Sequence, residues 1–299
     1  MLPGHSPEPS PPLAIHWRSE SLCLSLESIL PGIRLEMVPR AHSTNSLLLE
    51  RLRRYLDTGH APPKPCLLVA EEQTAGRGRL GRVWHASPGA SLTFSLALPV
   101  ASPHWEGLSL AVGVALAEAI DPWGSAPLCV GLKWPNDLWL LESLNAPATL
   151  CQDPKPSSIM RGRKLGGILV ETVSCGGLRW AVIGVGLNVR PQAGADAAGL
   201  QTACWSEFDD SISVSAALAR LAPPLLLGLR QFQSQGFSVF LDRFHRRDLL
   251  RGQEVTLSEG NFREGKALGV TASGALRVDF GGTIRLIHGG EVSVRLKSA

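Results

Sequence analysis

The segment Glu72-Gln-Thr-Ala-Gly-Arg-Gly-Arg-Leu-Gly-Arg-Val-Trp84 interleaves three glycines with three arginines and follows the apolar run Cys66–Glu71. Glycine permits φ > 0 and a close approach of the backbone to a ligand. Arginine presents a planar fork of N–H donors that matches carboxylate and phosphate oxygens. We therefore predict a buried strand over Cys66–Glu71 that leads directly into a loop built to hold anions.

Neither a disordered segment nor a known nucleotide-binding loop fits this pattern as well. Arg-Gly repeats also occur in disordered RNA-binding segments, but this one leads through Trp84 into another apolar run that favours a folded domain. The loop lacks the Gly-Lys-Ser/Thr of a phosphate-binding P-loop, and its glycines do not open a helix as the dinucleotide fingerprint requires.

Around the loop the chain is patterned as mixed α/β. Ser43-Thr44-Asn45 offers an N-cap to a helix, and residues 1–12 carry five prolines, which predicts a disordered tail. Strands are predicted at Ile33–Val38, Ala90–Leu98, Cys129–Leu141 (broken by Pro135), Leu165–Thr172 and Leu178–Val189, and helices at Ser46–Leu56, Leu108–Ile120 and Ser213–Phe244, the last broken into two pieces by Pro223-Pro224.

Beyond Arg251 the pattern changes to short strands separated by glycine turns, which predicts a small β-barrel. The five strands are Glu254–Leu257, Glu264–Thr271, Leu276–Phe280, Thr283–Ile287 and Glu291–Leu296. We divide the chain into an N-terminal extension, partly disordered, at 1–40, a main domain at 41–248 and the barrel at 249–299. Residues 143–163 lack a clear period and are predicted to be an insertion.

Composition excludes several classes of protein. A net charge of +3 is too small for a protein whose whole surface binds nucleic acid. The six cysteines include no CxxC pair, so neither a zinc site nor a disulfide framework is expected. The sequence shows no signal peptide and no apolar run of about 20 residues, and we expect a cytoplasmic protein without a membrane span.

Three further motifs each allow an ordinary structural interpretation. Lys133-Trp134-Pro135-Asn136-Asp137 could be a turn, although it also gathers a cation, an aromatic wall and a carboxylate. The basic run before Gly166-Gly167-Ile-Leu-Val-Glu171 could be a solvated face, although Lys164 at the strand entry can point inward. Ile183-Gly-Val-Gly-Leu-Asn188 could be a packed strand, or its terminal amide could read a base edge.

Taken together and in this order, these motifs resemble those of bacterial biotin protein ligases, the biotin–[acetyl-CoA carboxylase] ligase family. Gly289-Gly-Glu-Val-Ser-Val-Arg295 is similar to the end of that family's C-terminal domain. The resemblance covers about 41–299 and implies an α+β fold, in which a mixed central sheet flanked by helices (a class II synthetase-like catalytic domain) precedes an SH3-like β-barrel. The first 40 residues are too few for the N-terminal DNA-binding domain of longer members, so no binding of DNA is expected.

The resemblance implies a two-step reaction. The carboxylate of biotin attacks the α-phosphate of ATP, which releases pyrophosphate and gives biotinyl-5′-AMP; a lysine of an apo biotin carboxyl carrier protein then attacks the anhydride. Both steps concentrate negative charge and require water to be excluded. We expect biotin, ATP and Mg²⁺ to bind, with Mg²⁺ held mainly by phosphate oxygens and water rather than by dedicated protein ligands, near Asp137.

The resemblance also assigns site residues. Lys164, Arg79 and Asp137 would be catalytic, with Lys164 bridging the biotin carboxylate and the α-phosphate. The expected biotin-binding residues are Ser43, Thr44, Asn45, Gln73, Arg77, Gly78, Arg79 and Lys164. The expected ATP-binding residues are Arg79, Arg82, Trp84, Lys133, Asn136, Asn188, Glu291 and Arg295, of which Trp84 would pack near the adenylate and Asn188 would recognise adenine.

Some expectations remain open. Because the Gly76–Arg82 loop is rich in glycine and arginine, we expect few internal contacts and ordering on ligand binding. The protein could be a monomer or a homodimer. The alternative functions are a lipoate ligase-like acyl transferase and a non-catalytic biotin-binding regulator.

Overall fold

The structure, a computed structural model, describes residues 17, 19–58, 63–100, 105–122, 128–141, 162–192, 202–258, 264–289 and 294–296. Its helices are α1 Ser19–Ile29, α2 Thr44–Thr58, α3 Leu108–Ile120, α4 Val214–Gln235 and α5 Leu241–His245. Its strands are β1 Arg34–Ala41, β2 Cys66–Gln73, β3 Ser91–Pro99, β4 Val130–Lys133, β5 Asp137–Leu141, β6 Gly162–Cys175, β7 Leu178–Asn188, β8 Glu254–Leu257, β9 Glu264–Val270, β10 Leu276–Asp279, β11 Ile284–Ile287 and β12 Val294–Leu296.

The main domain is a mixed sheet between two layers of helices. Its seven strands run in the order β1-β2-β3-β7-β6-β5-β4, in which β1 and β2 are parallel and the remaining neighbours antiparallel. Helices α1, α3 and α4 share one large apolar core with one face of the sheet. Helix α2 packs Leu48, Leu49 and Leu52 against Leu68 and Val182 on the other face. The predicted mixed sheet flanked by helices is confirmed.

Helix α4 corrects the expectation of a break at the prolines. It runs without interruption from Val214 to Gln235 with Pro223 and Pro224 inside it. A proline in a helix interior removes an N–H donor and crowds the preceding turn. Here the adjoining apolar residues Leu221, Ala222, Leu225 and Leu226 are all buried in the core, and their burial holds the helix together across the prolines.

Two other elements differ from the sequence predictions. Helix α1, where only a strand at 33–38 was predicted, buries Leu22 and Leu26, one turn apart. The predicted strand Cys129–Leu141 is a hairpin, in which β4 and β5 pair antiparallel and Trp134–Asn136 form the turn, with a cis Trp134–Pro135 bond. The turn reverses the chain and thereby brings Lys133 and Asp137 opposite each other.

The C-terminal strands form a second, antiparallel sheet in the order β11-β10-β9-β8-β12, which confirms the predicted small β domain. It contacts the main domain through Trp134, whose Nε1 donates to Gly274 O at 3.0 Å. The connection to it runs along the edge of β4, where Leu132 N donates to Arg247 O at 2.7 Å and Leu249 N to Leu132 O at 2.9 Å. The limits 41–248 and 249–299 stay a prediction.

Part of the predicted extension and most of the predicted insertion lie outside the described residues, at 1–16 and 142–161. Strand β6 already begins at Gly162, so the last two residues assigned to the insertion belong to the sheet. Within the described ranges, no helix is both long enough and apolar enough to cross a membrane.

Candidate active site

A cavity of about 890 Å³ lies over the central sheet and collects nearly all the predicted site residues. Among the described residues that line it, five are Lys or Arg and only Asp137 is a carboxylate, which suits anionic ligands. Glu291 is outside the described residues, and Arg295 is described only in its backbone, which pairs with Thr256. The predicted residues on the cavity wall are Ser43, Thr44, Asn45, Gln73, Arg77, Gly78, Arg79, Arg82, Trp84, Lys133, Asn136, Asp137, Lys164 and Asn188.

The Gly/Arg loop forms one wall of the cavity as a small closed hairpin. Trp84 N donates to Gly76 O at 2.9 Å, and Gly78 N donates to Arg82 O at 2.7 Å. A Cβ on Gly76 would collide with the carbonyl oxygen of Trp84, which accounts for the glycine. Leu80 at the tip adopts φ 55° and is half exposed, a conformation that is unfavourable for leucine. The expectation of few internal contacts was wrong, so ordering of the loop on ligand binding no longer follows from it.

The arginines of the loop reach three different surroundings. Arg77 pairs with Glu171 of β6, with Nη2 3.0 Å from Oε1. Arg79 donates to Asn136 Oδ1 at 3.2 Å and to Gly289 O of the second domain at 2.7 Å. Burial lowers the pKa of Arg79, Asp137 partly compensates and Arg82 lowers it further. Arg82 is exposed and also lines the cavity.

Lys164 and Asp137 form an ion pair in the floor of the cavity, with Nζ 2.6 Å from Oδ1. They lie on the adjacent strands β6 and β5, where a register irregularity separates Leu138 from Trp139. The Lys164 ammonium also lies 5.8 Å from the Trp84 ring centroid. Both side chains remain partly exposed, 34% for the lysine and 21% for the aspartate, so an anionic ligand can reach the lysine.

The start of α2 supplies polar groups at one end of the cavity. Ser43 caps the helix, with its Oγ 3.4 Å from Ser46 N. Thr44 donates from its N to Gln73 Oε1 at 2.8 Å, and its Oγ1 lies 3.1 Å from the same oxygen. This fixes the Gln73 amide so that its Nε2 donor is left for a ligand. Asn45 is buried, and its Oδ1 lies 2.6 Å from the hydroxyl of Ser95.

The opposite end is formed by the end of β7 and the segment after it. Asn188 donates from Nδ2 to Ala203 O at 3.0 Å and accepts on Oδ1 from Gln192 Nε2 at 2.8 Å. The Trp84 indole packs directly against this strand, since any Cβ on Gly186 would collide with the ring. The glycine of the motif therefore makes room for the tryptophan.

Two residues of the Lys133–Asp137 turn complete the wall. Lys133 Nζ lies 4.6 Å from the ring centroid of Trp139. Asn136 accepts from Arg79 and donates to Ile168 O at 2.8 Å, and Ile168 N donates back to its carbonyl at 2.9 Å. The turn is thus tied to β6 and presents Asn136 to the loop arginine.

Three polar residues that organise these groups were not predicted from the sequence, namely Ser95, Glu171 and Gln192. Ser95 is fully buried in β3, where Ser91, Thr93 and Ser95 alternate with apolar residues and are all buried, and buried polar residues in a strand are a usable signal. Glu171 ends one of the predicted motifs but received no role. Gln192 carries no signal that spacing or composition could reveal.

The chain matches two protein-family models, one in each of its two domains. Residues 38–188 match the "Biotin/lipoate A/B protein ligase family" and residues 252–295 match the "Biotin protein ligase C terminal domain". Together the two matches cover most of the predicted range 41–299 and both of the described sheets.

Several named relatives cover most of the chain. A "Bifunctional ligase/repressor BirA" of Salmonella typhimurium is 32% identical over 282 residues, 90% of this chain and 77% of that protein. A "Biotin--[acetyl-CoA-carboxylase] ligase" of Mycobacterium tuberculosis is 30% identical over 268 residues, 87% and 88% of the two chains. The structure of a biotin protein ligase from Aquifex aeolicus in complex with biotin and ATP superposes with a TM-score of 0.67 at 24% identity over 88% of this chain and 99% of that one, a likeness of fold.

Proposed function

The chain belongs to the biotin/lipoate A/B protein ligase family, and from this premise we infer that its cavity is the active site of a biotin protein ligase. The enzyme forms biotinyl-5′-AMP from biotin and ATP and transfers the biotinyl group to a lysine of an apo biotin carboxyl carrier protein of acetyl-CoA carboxylase. The observation that carries the proposal is the Lys164–Asp137 pair at 2.6 Å inside a cavity whose described lining residues include five cationic side chains.

In the first step, a carboxylate oxygen of biotin forms a bond to the α-phosphorus of ATP, and the bond to the pyrophosphate leaving group breaks. Lys164 neutralises charge on the carboxylate and on the phosphorus oxygens as they approach each other. Arg79 and Arg82 act on the phosphates from the loop. Thr44 and Gln73 hold the ureido ring, because the amide fixed by Thr44 offers a donor toward it.

In the second step, the amine of the carrier lysine attacks the acyl carbon, AMP leaves, and an amide forms. The amine must lose a proton, and Asp137 is the only carboxylate among the described residues of the cavity wall. Its pairing with Lys164 keeps it oriented toward the reacting groups. The closed loop with Trp84 shields the anhydride from water between the two steps.

Magnesium fits this site as an ion that arrives with ATP. No cluster of three or more potential ligand residues exists among the described residues, and the described part of the cavity wall offers one carboxylate, Asp137. Mg²⁺ favours a few carboxylate oxygens combined with phosphate oxygens and water. Asp137 would be the residue that holds it, and the ion would neutralise phosphate charge.

A direct assay tests the function. The protein is incubated with biotin, ATP, Mg²⁺ and an apo carrier domain, and biotin on the carrier lysine is detected by intact mass and by streptavidin blotting. Omission of ATP should abolish labelling, and lipoate or octanoate in place of biotin should give none. Labelling by lipoate would favour the related acyl transferase, and binding of biotin without labelling would favour a regulator.

The match to the C-terminal domain of biotin protein ligases favours biotin over lipoate as the substrate. We propose a cytoplasmic location, where the carrier is made. The absence of DNA binding and the choice between monomer and homodimer are further proposals, which a gel-shift assay and light scattering can test.

A further inference from the structure

We infer that Glu171 is a positioning residue that latches the Gly/Arg loop over the cavity and couples the loop to the start of α2. This inference rests on the proposed function only for its consequence in catalysis. Glu171 is not among the residues that line the cavity, so it acts through the residues that it holds.

The carboxylate of Glu171 binds both partners at once. Arg77 Nη2 lies 3.0 Å from Oε1 and Arg77 Nη1 lies 3.4 Å from Oε2. Asn45 Nδ2 donates to the same Oε2 at 3.0 Å. A contact of an arginine with both oxygens of a carboxylate adds geometric specificity and energy to the ion pair. Glu171 is 24% exposed and Arg77 47% exposed, so solvent weakens the pair but does not remove it.

From Asn45 the connection continues along the end of the cavity that the start of α2 forms. Ser95 Oγ lies 2.6 Å from Asn45 Oδ1 and 2.6 Å from Thr44 Oγ1. Each hydroxyl carries one hydrogen, so in this series Ser95 donates to Asn45, Thr44 donates to Ser95, and Thr44 holds Gln73 through its backbone N at 2.8 Å. An unbroken series of hydrogen bonds therefore runs from the loop arginine, through Glu171, to the amide of Gln73.

This arrangement gives Glu171 two distinct tasks. Its pairing with Arg77 opposes the opening of the loop, because opening must separate a partly buried ion pair. Its hydrogen bond with Asn45 joins β6 to the start of α2 and does not involve the loop. Loop and α2 contact each other separately through Arg77 Nη1, which donates to Ser46 Oγ at 3.2 Å. Without Glu171 the loop loses its charged anchor but keeps this weaker bond.

The substitution Glu171→Gln separates the tasks, because the amide oxygen still accepts from Asn45 but carries no charge for Arg77. We expect release of biotinyl-5′-AMP into solution to accelerate about tenfold and KM for biotin to rise by a similar factor. The rate of adenylate formation at saturating biotin and ATP should change less than about threefold. A purely structural role would instead reduce the amount of active enzyme and leave KM and the release rate unchanged.

A second readout requires no activity. Limited trypsin digestion of the ligand-free protein, followed by mass spectrometry, measures cleavage after Arg77, Arg79 and Arg82. We expect cleavage in Glu171→Gln to be several-fold faster than in the unchanged protein. Glu118→Gln is the matched control, since Glu118 pairs with Arg243, is 28% exposed and lies outside the cavity; its loop cleavage and adenylate release should be unchanged.

A double-mutant cycle that combines Glu171→Gln with Arg77→Gln tests whether the two side chains act as a pair. In a latch, the double variant releases adenylate no faster than the faster single variant. Additive effects, or loop cleavage and release in Glu171→Gln equal to those of the control, would overturn the inference. Failure of the unchanged protein to form adenylate would instead overturn the proposed function, while the proteolysis result would still judge the latch.

Discussion

At the scale of single residues, the proposed chemistry depends on Lys164, a lysine that is partly exposed and yet held in place. Lys164 is anchored by Asp137 at 2.6 Å and faces the Trp84 ring. Among the described residues of the cavity wall the other lysine is Lys133, which lies against Trp139 and so does not replace Lys164. Loss of the positive charge of Lys164 should therefore slow mainly the formation of biotinyl-5′-AMP, the step that joins two anions.

Lys164→Ala should lower the rate of adenylate formation by about 100- to 1,000-fold, since removal of one preorganised electrostatic contact to a developing charge costs about 3–4 kcal/mol. The measurement is pyrophosphate release under single-turnover conditions. Lys266→Ala, an exposed lysine of β9, is the control and should be unaffected. Adenylate formation at a near wild-type rate in Lys164→Ala would show that the central cation is another residue.

In the proposed site, Asn188 would offer the base of the nucleotide one acceptor position. Asn188 Nδ2 is engaged by Ala203 O, and Oδ1 accepts from Gln192 with one lone pair remaining. That lone pair suits the amino group of adenine and repels the carbonyl of guanine. Asn188→Ala should raise KM for ATP by about tenfold and narrow the preference for ATP over GTP, measured as the ratio of kcat/KM. An unchanged ratio would mean that the base is read elsewhere.

Short motifs made the residues that line the cavity predictable, whereas the residues that hold these side chains in place were not. Arg79, Trp84 and Lys164 stand in local patterns whose chemistry is visible in the sequence. Glu171 gains its role from Arg77, 94 positions away, and Ser95 from Asn45, 50 positions away. Contacts of this range depend on how strands are ordered in the sheet, and a single sequence does not display that order.

At the scale of helices and strands, two effects oppose each other in α4: burial of its apolar face favours the helix, and the two prolines disfavour it. Pro223 and Pro224 leave the carbonyls of Ala219 and Arg220 without the helical donors that other residues would supply. The apolar face of α4 maintains the helix despite this loss. Local rules therefore predicted a break that tertiary packing overrides.

Pro224→Ala should consequently stabilise the protein. A proline inside a helix costs about 3 kcal/mol relative to alanine, and part of this is offset because proline also restricts the unfolded chain. We expect the free energy of unfolding to rise by about 1–2 kcal/mol, measured in urea. Gln235→Ala at the exposed end of the same helix serves for comparison and should change it by less than about 0.5 kcal/mol. A loss of stability would show that the proline ring is needed for packing.

A helix or strand was predictable where its apolar residues followed one clear pattern. The strands on either side of the Gly/Arg loop and helix α3 are mostly apolar, and their bounds were predicted within a residue or two. The β4–β5 hairpin was predicted as one broken strand, because both halves are apolar and the turn between them carries the Lys133–Asp137 motif rather than a glycine turn. Helix α1 was missed because only Leu22 and Leu26 mark its buried face.

At the scale of the whole molecule, the two sheets meet beside the active site. Gly289 and Gly274 of the second domain accept hydrogen bonds from Arg79 and Trp134 of the first. The segment that connects the two domains is also attached to the first domain, because the guanidinium of the buried Arg247 lies 3.1 Å from Asp121 Oδ2. The C-terminal domain thus supports the loop and the Lys133–Asp137 turn from behind.

The connecting segment also contains the group that should make the stability of the protein depend on pH near neutrality. Burial raises the pKa of Asp248 to about 7 from 3.8, although the amides of Leu250 and Arg251 and the charge of Arg251 oppose the shift. The folded state therefore keeps a proton between about pH 4 and 7 that the unfolded state releases. The contribution of Asp248 to the free energy of unfolding is fully present below the unfolded pKa of 3.8. It is lost as the pH rises through the folded pKa of about 7.

Asp248→Asn, which cannot titrate, should abolish this dependence. Relative to the unchanged protein, the variant should gain unfolding free energy between pH 5 and pH 8, by up to about 3 kcal/mol, because about two pH units of that interval lie below the raised pKa. The measurement is urea unfolding at both pH values. Asp210→Asn, at a carboxylate whose side chain is 97% exposed, should show no such gain. If the difference between Asp248→Asn and the unchanged protein is the same at both pH values, Asp248 does not carry a proton in the folded state near neutrality, and the segment between the two sheets holds a buried charge instead.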